Sequence, residues 1–314
     1  IPSFNNFDIY DPIVKPLFYS GFGEKINHEE KEMKLLKFEE LTWKELNEIE
    51  KSKTILFLPI SPLEEHGPHL PVGTDIFGAS DIASVAARIV MEENENLQSI
   101  LLPAIPLGCC SVTDDFPGTI SLKGLTLFHV LIDVFESIAR QGFPFLVISN
   151  HHLDPVHMKA IMLAIDKLES EYPIRLLETG SRIAHSGIPM RQNEKILAMG
   201  LNPMMELHAD VKETGFILYQ YPHLIKVDYQ KLPATPIDVE AGFRKGLRTF
   251  KQMGADKGYV GTPDRATKAL GQMYLEECAR TLATLTLKMV NNEPLPDMNA
   301  EIKLALENFV QLDS

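Results

Sequence analysis

The chain has 314 residues, 45% apolar and 23% charged, which suits one large α/β domain or two smaller ones with a substantial core. A formal net charge of −13 without a Lys/Arg cluster excludes a phosphate-backbone partner, so no nucleic acid is expected and the partner is a small molecule. No apolar run approaches the roughly 18 residues of a membrane span, and the first residues carry neither the charged nor the apolar region of a signal peptide.

Three cysteines, Cys109, Cys110 and Cys278, have no CxxC spacing, which disfavours a disulfide framework and favours a reducing, cytoplasmic setting. Residues 1–40 mix aromatics, prolines and glycines without helical or strand periodicity and read as an N-terminal extension. Leu41 to Lys51 has the apolar spacing of a short helix, with Thr42 and Glu45 at the two positions of a capping box.

The run from Ile55 to Ile60 reads as a buried strand. The loop after it carries Glu64, Glu65, His66, His69 and Asp75 among Pro62, Gly67, Pro68 and Pro71. Glu64 and His66, two apart, share one side of an extended segment. Carboxylate oxygens beside imidazole nitrogens suit zinc, manganese or iron better than calcium or magnesium.

Phe77 to Glu93 is spaced as a helix, the run from Ile100 as a second strand, and residues 125–141 as an amphipathic helix ended by Gly142. FPFLVISN is a third strand, MKAIMLAIDKLESEY a helix and IRLLET a fourth strand. Strand alternating with helix is the pattern of a parallel sheet covered on both faces, with ligand sites beyond the carboxyl ends of its strands.

The loop after the third strand holds His151, His152 and Asp154. His152 and Asp154 repeat the spacing of Glu64 and His66 and could complete a metal site, but Asp154 before Pro155 is also a helix N-cap. Further on, Asp210 and Glu213 match a capping box, with His208 just ahead of that helix. A long amphipathic helix runs to about Val290, and residues 291–314 read as a proline-broken tail with a short helix.

The string EEHGPHLPVGTD resembles the signature of the creatininase family, metal-dependent amidohydrolases related to creatinine amidohydrolase. FPGTISL, NHHLD, HADVKET and GYVGTPDRAT follow in the family's order, so that the resemblance spans about residues 40–290 and marks 41–290 as the hydrolase domain. It implies a three-layer α/β/α fold with a mostly parallel central sheet, two divalent ions per subunit and a homo-oligomer, a hexamer.

By motif position the resemblance makes Glu64, His66, Asp75, His152 and Asp154 the metal ligands, with Asp75 bridging and Asp154 standing where the family usually has Glu. His208 and Glu213 match catalytic positions. His69 is expected to orient a ligand, and His151 to be an extra ligand, an orienting group or a substrate contact. Asp114 and Asp115 enter a segment that has lost the family's Glu-His pair. With that change, and with Trp43 as the single tryptophan, creatinine is not the expected substrate.

The function implied is hydrolysis of an amide carbon–nitrogen bond in a small polar metabolite by metal-activated water. Two alternatives stand beside it: hydrolysis of a carbon–carbon bond in a cyclic polyol ketone, and a metal-containing binding protein without turnover. A cysteine nucleophile at Cys109 or Cys110 is an outsider, since no histidine is paired with either by spacing.

Overall fold

The computed structural model describes residues 34–178, 180, 182 and 190–313. Most of the expected N-terminal extension lies outside the described residues. Leu36–Lys37, near its end, form the edge strand β1. Thr42 and Glu45 cap α1 (Trp43–Glu48) reciprocally.

Strands β2 (Thr54–Pro59), β3 (Gln98–Leu101), β4 (Phe145–Ser149) and β5 (Arg175–Glu178) alternate with helices α2 (Thr74–Glu93), α3 (Gly124–Arg140) and α4 (Pro155–Glu171). All neighbouring strands pair in parallel, in the order β1-β3-β2-β4-β5. The side chains divide between the two faces with period two. Ile55, Phe57, Val147 and Leu177 join one core with α2, α6 (Val211–Gln220) and α8 (Lys268–Val290). Leu56, Leu58, Leu146, Ile148 and Leu176 join the other with α3 and α4. The result is the expected α/β/α sandwich.

The strand order fixes where a site can form. From β2 the chain passes to β3 on one side, and from β4 it passes to β5 on the other. Helix α2 lies on one face and α4 on the opposite one, so the loops after β2 and β4 part around a crevice at the carboxyl ends of two paired strands. Open α/β sheets bind ligands at such switch points.

Helix α2 begins at Thr74, three residues before the helical spacing predicts. The Thr74 amide and hydroxyl both donate to the Pro71 carbonyl, at 3.1 and 2.7 Å, so the turn closes early and Asp75 falls in the first helical turn. A carboxylate there is favoured by the helix dipole. Shorter helices α5 (Arg191–Ala198), α7 (Val239–Arg244) and α9 (Ala300–Phe309) complete the described chain. Among the described residues no helix is long and apolar enough to cross a membrane.

Candidate metal centre

Ser61 ties the two loops together. Its hydroxyl accepts from the His151 amide at 3.0 Å and donates to Asn150 Oδ1 at 3.4 Å. A third segment arrives beside α6, where His208 pairs its backbone with Val260, its amide donating at 3.2 Å and its carbonyl accepting at 2.8 Å. Ala209, next to it, has a φ of 46°, a left-handed conformation that non-glycine residues rarely adopt and that places His208 ahead of the helix.

Glu64, His66, Asp75, His152 and His208 are all buried and converge. Each imidazole has one nitrogen pinned to a backbone carbonyl: His66 Nδ1 to Glu64 at 3.0 Å, His152 Nε2 to Cys109 at 2.8 Å, His208 Nε2 to Glu65 at 2.8 Å. A carbonyl only accepts, so the pinned nitrogen carries the proton and the neutral ring turns a lone pair the other way. Those lone pairs face carboxylates. His152 Nδ1 is 3.0 Å from Glu64 Oε2 and 3.1 Å from Asp75 Oδ2, while His66 Nε2 is 3.5 Å from Asp75 Oδ1 and 3.7 Å from Glu213 Oε2. His208 Nδ1 stands 3.8 Å from Glu64 Oε2.

Lone pairs facing anionic oxygens in a buried space repel unless a cation lies between them. His66 Nε2 and Asp75 Oδ2 are buried without a hydrogen-bond partner, as atoms that bind a cation would be. Among the described residues there are three groups whose potential ligand atoms lie, within each group, no more than 4.8 Å from one another: Glu64, His66 and His208; Glu64, Cys110 and His152; His66, Asp75 and Glu213. This mixed oxygen, nitrogen and sulfur set suits zinc or a similar divalent transition ion, so the residues fit the metal that the resemblance implies.

The same carboxylates favour positive charge on the imidazoles themselves. Burial penalises a charged His66, but the Asp75 carboxylate, with Glu213 and Glu64, outweighs it and raises the ring to about 10. His152 is raised well above its ordinary value in the same way, against burial, chiefly by Glu64 and Asp75. Burial would raise Asp75, yet His66, His151 and His152 hold it well below the usual carboxylate range.

Two residues make contacts that bear on their expected roles. Asp154 belongs to none of the three ligand groups. Its Oδ1 accepts from the amides of Val156 at 2.8 Å and His157 at 3.2 Å, capping α4, and its Oδ2 accepts from the Ser111 amide at 2.7 Å and hydroxyl at 2.6 Å. Both of its oxygens are therefore engaged by the helix cap and by Ser111. Glu213 does not close a capping box on Asp210: its Oε2 accepts from the Ala209 amide at 2.6 Å, one residue further back, and it lies among the ligand candidates beside His66 and Asp75.

His69 lies outside the ligand groups, with Nε2 2.9 Å from Thr214 Oγ1. Burial, with the charge of His66, pushes it down to about 4. Asp114 and Asp115 are exposed, and Asp115 accepts from Thr249 Oγ1 at 2.9 Å. Burial pushes Cys109 and Cys110 up to about 12, which removes the thiolate that a cysteine nucleophile needs.

Several contributors to the site carry no local signal of their role in the sequence. Thr113 donates a short hydrogen bond to Glu64 Oε1, and Thr119, in the FPGTISL segment, accepts from the Glu65 amide at 3.1 Å. That motif was visible, but its role as a brace on the first loop was not. Gly258 has a φ of +72°, and a Cβ there would come within 2.0 Å of Glu65 Oε2, so the GYVGTPDRAT segment holds a glycine where that carboxylate needs room.

The Creatininase family model, described as creatinine amidohydrolase, matches residues 39–286. Creatinine amidohydrolase of Pseudomonas putida is 26% identical over 261 residues, which cover 78% of this chain and 93% of that protein. A mycofactocin precursor peptide peptidase of Mycolicibacterium smegmatis is 26% identical over 100 residues, 31% of this chain and 39% of that one. A solved structure of creatininase with Mn superposes with a TM-score of 0.64 over 83% of this chain and 100% of its own, at 24% identity, and shows the same fold. The family match over most of the chain, together with the converging histidines and carboxylates, means that this chain belongs to the creatininase family of metal-dependent amidohydrolases.

Proposed function

We propose that this amidohydrolase is dinuclear, holding two divalent ions of the zinc, manganese or iron type on the two sides of Asp75. It cleaves the amide carbon–nitrogen bond of a small polar metabolite, linear or cyclic, other than creatinine. The observation that carries the reading is the division of Asp75: Oδ2 faces His152, whereas Oδ1 faces His66. Glu64 and His152 would hold one ion, His66 and Glu213 the other, and Asp75 both.

Divalent ions in such a site supply a water activated near neutral pH and polarise the carbonyl under attack. The protein's part is orientation and proton transfer. The backbone carbonyls of Glu64 and Cys109 fix the tautomers of His66 and His152. His208, with Nε2 tied to the Glu65 carbonyl, has Nδ1 free to take a proton and return it to the leaving nitrogen.

Substrate choice is read from the segment around residues 108–119. Val112 and Thr113 occupy the family's Glu-His positions, and Thr113 is turned onto Glu64. Trp43, exposed on α1, supplies no lid. The hexamer implied by the resemblance and a cytoplasmic setting belong to the same proposal; three unpaired cysteines fit a reducing compartment.

The test is a product assay on metal-reconstituted protein with lactams, formamides, short peptides and cyclic ketones, read by mass spectrometry. Release of an amine or ammonia supports the reading. Ring opening of a ketone without loss of nitrogen would replace it with carbon–carbon hydrolysis, and two bound ions without turnover would favour a binding protein. Light scattering that gives six chains per particle supports the hexamer.

A further inference from the structure

Asp154 leaves the second ion one ligand short of what the resemblance implies, and the neighbouring His151 is built into the gap. Its side chain is buried, with Nδ1 3.0 Å from Asp75 Oδ1 and 3.8 Å from Glu213 Oε1. His66 Nε2 reaches the same two carboxylates, at 3.5 Å from Asp75 Oδ1 and 3.7 Å from Glu213 Oε2. Two imidazole nitrogens from different loops therefore converge on one pair of acids.

The ring is held from every side. Nε2 lies 2.7 Å from the Tyr274 hydroxyl, and the Tyr274 and Phe216 rings pack against it at centroid distances of 5.5 and 6.2 Å. Helix α2 makes the space: a Cβ at Gly78 would come within 2.6 Å of His151 Cδ2, closer than atoms can pack. Even alanine at 78 would displace this ring. A glycine inside a helix costs about 0.5–1 kcal/mol relative to alanine, and what it admits here is the imidazole.

We propose that His151 Nδ1 is a protein ligand of the ion held by His66, Asp75 and Glu213, in the role that the family pattern gives to the residue at 154. The Tyr274 hydroxyl then accepts from Nε2–H, the outer partner that ligating histidines ordinarily have. The ligand has moved three positions back along the loop, from the helix N-cap to a residue whose ring α2 accommodates. This inference rests on the dinuclear reading above.

The test uses cobalt(II) added to metal-stripped full-length chains, with elemental mass spectrometry for stoichiometry and the visible d–d bands for the donor set. Wild type and Asp154→Asn, which keeps the helix cap, are expected to bind two ions with the same bands. His151→Ala is expected to weaken the second ion by more than roughly a hundredfold, beyond the ten- to hundredfold typical of an outer partner, and to shift the bands at saturating cobalt. Gly78→Ala, which removes no donor, should weaken the same ion. Circular dichroism melts in chelator check that each variant is folded.

Unchanged bands in His151→Ala at saturation, or loss of the second ion in Asp154→Asn alone, overturns the assignment. A wild type that binds fewer than two ions fails before any variant is compared, and overturns the dinuclear reading along with it.

Discussion

The loops after β2 and β4 carry the same pattern, an acid and a histidine two residues apart, and use it differently. In the first loop Glu64 and His66 both face the cluster, because the helix does not start until Thr74 and the segment between is free to stay irregular. In the second the helix starts at Pro155, so Asp154 is its N-cap and, of the acid–histidine pair, the histidine alone belongs to a ligand group. Ligand spacing shows which side chains share a face. The distance to the next helix decides which of them remain free to bind.

The largest effect expected is at Asp75, which both halves of the site share. Asp75→Asn should lower activity by about 10³-fold or more, since several kcal/mol of transition-state stabilisation act through the ions, and metal content should fall with it. Steady-state kinetics and elemental analysis check this. Retained activity with full metal content would mean that the two sides of the site do not meet at this residue.

The protons on His66 and His152 give the next effect. Because His66 is raised to about 10, an ion must displace a proton throughout the neutral range. Metal affinity should therefore rise with pH, about tenfold per unit for each proton released, and flatten as pH approaches that value. Calorimetric titrations in buffers of different ionisation enthalpy count the protons. Affinity independent of pH would show that the rings are already bare.

Each loop also has a buried imidazole outside the ligand groups, His69 near the first and His157 in α4 after the second. Burial, with the nearby charge of His66, lowers His69 to about 4, and burial, with His152, lowers His157 well below its usual value. Between pH 6.5 and 4 the unfolded chain binds protons that the folded chain refuses, so stability present above 6.5 is lost as pH falls through this window. One such group contributes at most about 1.4 kcal/mol per pH unit. His69→Gln should reduce the slope of Tm against pH, and an unchanged slope would contradict the assignment.

The smallest effects separate the two readings of Asp154. Asp154→Ala should cost about 1–2 kcal/mol through the lost cap, measured by denaturant unfolding, without changing metal content. Asp154→Asn should cost a few tenths at the cap. Loss of an ion in either variant would return Asp154 to the ligand set.

The sheet and its helices were legible because β2 and β4 are continuous apolar runs buried on both faces, between segments of helical spacing. Glu64, His66 and His152 were legible too, since strand ends and two-residue spacing are local features. Asp154 was not decidable locally: the spacing of a ligand and the chemistry of a cap are satisfied by the same residue, and Ser111, 43 positions earlier, engages its second oxygen. Glu213 is a capping acid by spacing and a catalytic residue only by resemblance; its place 3.7 Å from His66, just after the left-handed turn at Ala209, is a tertiary feature. Tyr274 and Gly78 left no signal, because their partner His151 comes from a distant segment in each case.

Anomalous diffraction from crystals of the manganese-loaded protein tests the central claim most directly. Two peaks per chain are expected, straddling Asp75, one beside Glu64 and His152 and the other beside His66, Glu213 and His151. A single peak, or two peaks that do not share Asp75, would contradict it.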